Sequence, residues 1–114
     1  MTRHRQHSLL QNIAAISAEF HTRPEYWEFY ERFGKHIDGF IGQYALCIDM
    51  AKALTDWESH NGRANAYENT GMPWIEIVEA FVREVMSMAL ETGEIPNVRQ
   101  VLRRLHVESA ARHQ

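Results

Sequence analysis

The chain has 114 residues, of which 45% are hydrophobic and 24% charged, and its net charge is −3. Because this length and composition are ordinary for one globular domain, we predict a single domain over 1–114. Its single cysteine, Cys47, excludes an intramolecular disulfide, and no run approaches the roughly 20 apolar residues of a membrane span. Gln11 and Asn12 interrupt the apolar region that a signal peptide needs, so we expect a cytoplasmic protein that binds no membrane.

The charges are segregated along the chain. Residues 1–23 carry three arginines and one glutamate, residues 24–96 carry five basic and thirteen acidic residues, and residues 97–114 carry four arginines and one glutamate. The simpler interpretation is that the basic ends fold back on the acidic middle or lie in solvent. The alternative is that one basic end meets an anionic partner.

The first predicted helix follows Ser8. Ser8 and Gln11 form the S-x-x-Q pattern of a capping box. Apolar residues then recur at intervals of three and four, which predicts a helix over about 9–20. These apolar residues are Leu9, Leu10, Ile13, Ile16 and Phe20.

A second helix is predicted from residue 24 to about 59. Thr22 and Glu25 form a T-x-x-E cap, and the proline between them suits a first helical turn. Each glycine inside this segment costs roughly 1 kcal/mol relative to alanine, so we expect a break or kink between Gly34 and Gly39, with one continuous helix as the alternative. The apolar stripe consists of Tyr26, Tyr30, Phe33, Ile37, Phe40, Ile41, Tyr44, Ile48, Ala51 and Leu54.

The segment 24–33, PEYWEFYERF, is dense in aromatic residues. Trp27 falls beside the main aromatic face, where it either covers the edge of the core or binds another chain. We therefore name Trp27 and Tyr26, together with Tyr67 from the next loop, as candidate partner-binding residues. The four aromatic residues that share one face, and that we expect in the core, are Tyr26, Phe29, Tyr30 and Phe33.

A loop and a central helix follow. Residues 60–73 hold two glycines, three asparagines and a proline without a sustained apolar stripe, which predicts a loop. The segment over about 73–91 is apolar on well over half of its helical circumference, so we predict a largely buried central helix. Gly93 is placed as the C-terminal cap of that helix.

The C-terminal segment permits two interpretations. Asn97 and Gln100 predict the cap of a short amphipathic helix over 97–105, and a turn at 106–108 with a new cap at Ser109 would then complete a helix-turn-helix. In that case the candidate nucleic-acid contacts are Arg99, Arg103, Arg104 and Arg112.

A simpler interpretation of the same segment is a basic closing helix docked on the acidic middle of the chain. Only residues 109–114 remain for a recognition helix, which is under two turns. The acidic middle would also repel DNA. The inward residues of the closing helix are then Val98, Val101, Leu102 and Leu105.

Motifs of common enzymes and metal sites are absent from the sequence. It contains no P-loop, no G-x-G-x-x-G, no G-x-S-x-G, and no carboxylate residue three positions before a histidine. His36 and Cys47 lie eleven residues apart, or about 16 Å along a straight helix, which excludes a catalytic pair there. We expect Cys47 to be a small buried hydrophobe, and we predict no enzyme, no cofactor and no metal.

These observations lead to one prediction of fold and three hypotheses of function. We predict an all-α, single-domain bundle of four or five helices around the central helix at about 73–91. The preferred function is a small cytosolic, non-enzymatic accessory or regulatory protein that acts through protein–protein contacts as a homodimer. The alternative is a helix-turn-helix-type DNA-binding regulator. The third is a small-molecule-binding bundle lined by aromatic residues and Met72, Met86 and Met88, although methionines are more often core filler.

Overall fold

The structure is a computed structural model that describes residues 7–34, 40–60 and 74–112. These residues form five helices and no strand, which confirms the predicted all-α bundle. The predicted break between Gly34 and Gly39 and, apart from His60, the predicted loop over 60–73 lie outside the described residues. The helices are α1 (Leu9–Thr22), α2 (Tyr26–Phe29, continued by a π-helical turn, Tyr30–Gly34), α3 (Phe40–His60), α4 (Trp74–Thr92) and α5 (Val98–Arg112).

The start of α1 follows the predicted capping box. The Gln11 amide N–H donates to Ser8 Oγ at 3.1 Å, and the Ser8 amide N–H donates to Gln11 Oε1 at 2.8 Å. The two bonds satisfy backbone donors that the first helical turn would otherwise leave unpaired. Ile16 and Phe20 are then completely buried, as the apolar periodicity predicts.

The predicted cap at Thr22 is wrong. Thr22 is the last residue of α1, and its hydroxyl donates to the Glu19 carbonyl at 3.1 Å. Because that hydroxyl satisfies a carbonyl of its own helix, it does not cap the next one. Glu25 takes the capping position of α2 without a side-chain hydrogen bond.

The helix α4 is the centre of the core. It packs against α1, α2 and α5, and it buries residues on most of its circumference, so the predicted central helix is confirmed. Among the described residues of α4, the only large hydrophobic side chain that is exposed is Ile75, near the start of the helix, at 48%. The buried residues are Ile77, Val78, Ala80, Phe81, Val82, Val85, Met86 and Ala89.

The corner between α4 and α5 is built as predicted. Gly93 has a φ of +81°, which favours glycine, and its N–H donates to the Ala89 carbonyl at 2.8 Å. From the π-helical turn, Arg32 Nη1 donates to the Leu90 carbonyl at 2.6 Å. Asn97 Oδ1 then accepts the amide N–H groups of Arg99 and Gln100 at 3.1 and 3.2 Å, which caps α5.

The predicted turn at 106–108 is wrong, because α5 runs without interruption to Arg112. Ser109 is therefore inside a helix and does not cap a new one. No glycine or proline follows Asn97, and the alanines at 110 and 111 are strong helix formers. The described segment thus lacks the second turn on which the helix-turn-helix order depended.

Candidate functional site

An aromatic patch lies where α1 meets α2, and we define it as His21, Tyr26, Trp27 and Tyr30. The His21 ring lies 4.9 Å from the Tyr26 ring, and the Tyr26 ring lies 5.1 Å from the Trp27 ring. Trp27 also meets Tyr30 edge to face at 6.3 Å. Trp27 is nevertheless 71% exposed, so its neighbours fix its position without covering it.

The other side of α2 faces the core. Phe29 and Phe33 are buried, with their rings 4.9 Å apart, and the Phe29 ring lies 5.5 Å from Phe20 of α1. The prediction that four aromatic residues of this segment are core is therefore correct for these two phenylalanines and in part for Tyr26, which packs against the core from its edge. Tyr26 and Tyr30 are half-buried, because the small helix buries one side against α1 and α4 and leaves its flank at the surface.

Most of α1 carries no charged side chain. Residues 9–18 contain no charged side chain. Leu10 is 77% exposed, and Ala14 and Ala18 are exposed as well. Charged residues appear beyond the patch on α2, where Glu28 and Glu31 are exposed. The outward side of α1 is therefore neutral as far as Ala18. At the junction with α2, Arg23 pairs with Glu19 at 3.5 Å and with Glu25 at 3.1 Å.

Of the predicted partner-binding residues, the structure places two in the patch. Trp27 and Tyr26 are neighbours there, and Tyr67 lies outside the described residues. The sequence did not single out His21 as part of this surface. Its contact with Tyr26 arises because α1 ends only four residues before α2 begins.

The predicted nucleic-acid contacts lie on α5. Arg99 Nη1 lies 2.8 Å from Asp56 Oδ2 of α3, and both side chains are about half exposed. Arg103 and Arg104 are exposed, and Arg104 Nη2 lies 3.1 Å from Met88 Sδ. The side chain of Arg112 lies outside the described residues. The Arg99 pair is a contact between the basic end and the acidic middle, as the closing-helix interpretation expects.

A buried polar cluster, which the sequence reasoning missed, joins the start of α1 to α3 and α4. Glu58 and Asn12 are both completely buried. Asn12 Nδ2 donates to Thr55 Oγ1 at 2.9 Å and to Glu58 Oε1 at 3.3 Å, while Asn12 Oδ1 accepts Trp74 Nε1–H at 3.0 Å. One amide side chain therefore links three helices.

His7 completes the cluster from the segment before α1. Its backbone N–H donates to Glu58 Oε2 at 3.1 Å, and its ring Nδ1 lies 3.3 Å from the same oxygen. The imidazole stacks on the Trp74 ring with centroids 3.8 Å apart and an angle of 8°. These contacts compensate for the removal of the Glu58 carboxyl group from water, which is otherwise costly.

A sequence signal for the cluster existed. Asn12 lies on the apolar stripe of α1, between Leu9 and Ile16, and Glu58 follows Leu54 by one helical turn on the buried side of α3. A polar residue at a core position requires a buried partner. The identity of that partner comes from a distant part of the chain and does not follow from the spacing.

Cys47 is a core residue, as predicted. It is 2% exposed on the inner side of α3. Burial raises the pKa of its thiol from 9.0 to about 11, because the thiolate loses its hydration. The neutral thiol therefore behaves as a small hydrophobe.

Of the three methionines proposed for a small-molecule site, the two in the described part of the chain lie on different sides of α4. Met86 is completely buried, Met88 is half-buried beside Arg104, and Met72 lies outside the described residues. Met88 borders an open depression of about 210 Å³ between α4 and α5. Among the described residues, no group of three or more histidine, cysteine or carboxylate residues is arranged to hold a metal ion.

Comparisons with protein-family models, curated proteins and solved structures find no match for this chain. In the part of the chain that the structure describes, no helix is both long enough and apolar enough to cross a membrane.

Proposed function

We propose that this protein is a non-enzymatic accessory or regulatory protein that acts through protein–protein contacts, and that it forms a homodimer through the aromatic patch. The observation that carries the proposal is the 71% exposure of Trp27 within a set of contacting aromatic rings. Tryptophan and tyrosine are enriched among the residues that contribute most to binding at protein interfaces.

The patch has the physical properties of a contact surface. The rings of Tyr26 and Tyr30 contact Trp27 edge to face, with centroids 5.1 and 6.3 Å away, and these contacts reduce the side-chain freedom that binding would otherwise remove. Covering an aromatic side chain of this size removes on the order of 150–250 Å² of surface from water. The loss of ordered water from that area favours association.

A second copy of the chain suits this surface. The outward side of α1 carries no charge over residues 9–18, and near the patch Arg23 pairs with both Glu19 and Glu25. A neutral surface has no charge pattern that would select a strongly charged partner. The same neutral surface of a second copy can pack against it without burying an unpaired charge. The acidic residues at the edge of the patch then stay in solvent.

Sedimentation velocity over a range of micromolar concentrations tests the proposal. We expect a dimer, and we expect Trp27→Ala to raise its Kd by about 30-fold or more, because truncating a central interface tryptophan typically costs about 2 kcal/mol.

Ile75→Ala is the matched control, since it removes a large exposed hydrophobic side chain from α4. It should leave the Kd unchanged, and circular dichroism should show both variants as helical as the original. A chain that stays monomeric at high concentration, or a dimer that Trp27→Ala does not weaken, would contradict the proposal.

A further inference from the structure

The outward face of α1, which we define as Leu10, Ala14, Ser17 and His21, runs along the whole helix. The spacings of four, three and four residues keep these side chains on one line. Leu10 is 77% exposed at one end. At the other end, His21 contacts Tyr26 and so joins the face to the aromatic patch.

We propose that the second copy packs its α1 antiparallel to this helix across a two-fold axis, so that Leu10 of each copy lies on the aromatic patch of the other. This inference rests on the proposed homodimer and specifies its geometry. In a two-fold interface the same surface serves both copies, so it must be complementary to itself.

The outward face of α1 is complementary to itself in the antiparallel direction. Its ends are a large aliphatic side chain and an aromatic cluster, about 16 Å apart along the helix axis. The small side chains of Ala14 and Ser17 lie on either side of the midpoint, where they permit close approach of the two helices. Antiparallel packing therefore places the Leu10 end of each helix against the aromatic patch of the other copy. The small residues Ala14 and Ser17 of the two copies then face one another at the centre.

Charge disfavours the parallel arrangement. Glu28 and Glu31 are exposed on α2 at the edge of the patch. Parallel packing would bring two copies of this acidic edge together, and like charges placed opposite one another are repulsive. Antiparallel packing places the two copies of the patch at opposite ends of the paired helices, about 16 Å apart along the axis. It also opposes the two helix dipoles, which is the favourable orientation.

The area that a stable dimer needs explains why the contact extends onto α2. Standard protein interfaces bury about 800 Å² on each partner, which is more than one face of a helix of 14 residues provides. The contact at 4.9 Å between His21 and Tyr26 makes the aromatic patch continuous with the face. Trp27 and the two tyrosines then supply the additional area.

Disulfide cross-linking distinguishes the antiparallel from the parallel arrangement. The variants are made in a Cys47→Ala background, so that the added cysteine is the only one in each chain. With Leu10 opposite His21, position 14 of one copy lies about 5 Å along the axis from position 14 of the other. The two copies of position 10 lie about 16 Å apart along the axis. Ala14→Cys should form a disulfide-linked dimer on mild oxidation, and Leu10→Cys should not. A mixture of Leu10→Cys and His21→Cys should give the cross-linked heterodimer.

Gln100→Cys serves as the control for random collision, because its site is exposed on α5, which packs on α3 and α4. Efficient self-linking of Leu10→Cys would indicate parallel packing and would overturn the inference. If the protein sediments as a dimer but neither Ala14→Cys nor the mixture cross-links, the interface lies elsewhere. That result would overturn the antiparallel arrangement and leave the homodimer intact. A monomer under reducing conditions would overturn the homodimer and this arrangement together.

Discussion

Cys47 illustrates how burial controls the chemistry of a single side chain. The thiol lies among core residues of α3 and is 2% exposed. Loss of hydration raises its pKa from 9.0 to about 11. Because the thiolate is the reactive species, a folded chain holds the thiol in its unreactive form at neutral pH.

We expect the stability of the protein to fall between pH 9 and pH 11 because of Cys47. The unfolded thiol loses its proton near pH 9.0 and the folded thiol near pH 11, so the folded state binds more protons in this window and the free energy of unfolding decreases as pH rises. By pH 10 the loss is about 1 kcal/mol relative to pH 8. Urea unfolding at both pH values measures it.

The Cys47→Ala variant is the control for this measurement, since every other titrating group is retained. The part of the pH dependence that disappears in the variant belongs to the thiol. Native protein should also resist thiol reagents until it unfolds. Rapid labelling under native conditions, or an unchanged pH dependence in the variant, would show that the thiol is accessible to water.

At the scale of the helices, the buried polar cluster decides how three elements meet. Asn12 of α1 bonds to Thr55 and Glu58 of α3 and to Trp74 of α4. Apolar side chains would permit small sliding movements of these helices, whereas hydrogen bonds require specific distances and angles. The cluster therefore specifies the position of α1 relative to its neighbours as well as stabilising it.

We expect Asn12→Ala to lower the free energy of unfolding by about 2–4 kcal/mol. The change removes a donor to the buried Glu58 carboxylate and leaves the Trp74 indole N–H without its acceptor, and each buried unsatisfied group costs roughly 1–3 kcal/mol. Chemical denaturation monitored by circular dichroism measures the loss.

Gln100→Ala is the matched control for this substitution, because Gln100 is an exposed amide on α5. Its effect should be within about 0.5 kcal/mol, as for most surface substitutions. A loss below about 1 kcal/mol for Asn12→Ala would mean that the cluster adds little to the packing of the three helices.

At the scale of the whole molecule, the basic C-terminal helix packs on the acidic middle of the chain. Arg99 pairs with Asp56, and the apolar residues of α5 are buried against α3 and α4. Because this pair is about half exposed, it contributes only about 0–1 kcal/mol. Apolar burial, more than ion pairing, holds α5 in place.

We expect no binding of duplex DNA at about 0.1 M salt, because the middle segment of the chain carries an excess of acidic residues that opposes the approach of phosphates. Fluorescence anisotropy with a labelled duplex at several salt concentrations measures it. Replacing Arg103 and Arg104 together by alanine should change stability only slightly.

A DNA-binding function would give a different result in the same titration. Each lost phosphate contact lowers the salt slope of log affinity by about 0.9, so the double substitution would reduce that slope by roughly two. Sequence-dependent binding tighter than micromolar would contradict the proposed function and favour the DNA-binding alternative.

The sequence by itself determined the all-α class, the central helix and most helix ends. These features depend on local rules: apolar spacing predicted α1 and the buried circumference of α4, Ser8 and Asn97 supplied caps, and Gly93 supplied the left-handed residue after α4. The angular position of Trp27 left two roles open, at the edge of the core or in a contact with another chain, and its 71% exposure came from the structure. Local spacing is sufficient wherever the deciding contact lies within a few residues along the chain.

Only the tertiary structure decided the buried cluster. Thr22 and residues 106–108 carry weak local signals that are compatible with two conformations, and in the structure both lie inside helices. Asn12, Glu58 and Trp74 lie far apart in the sequence but within hydrogen-bonding distance in the fold. A buried polar group is stable only with its partner, and that partner is supplied by the packing of distant helices.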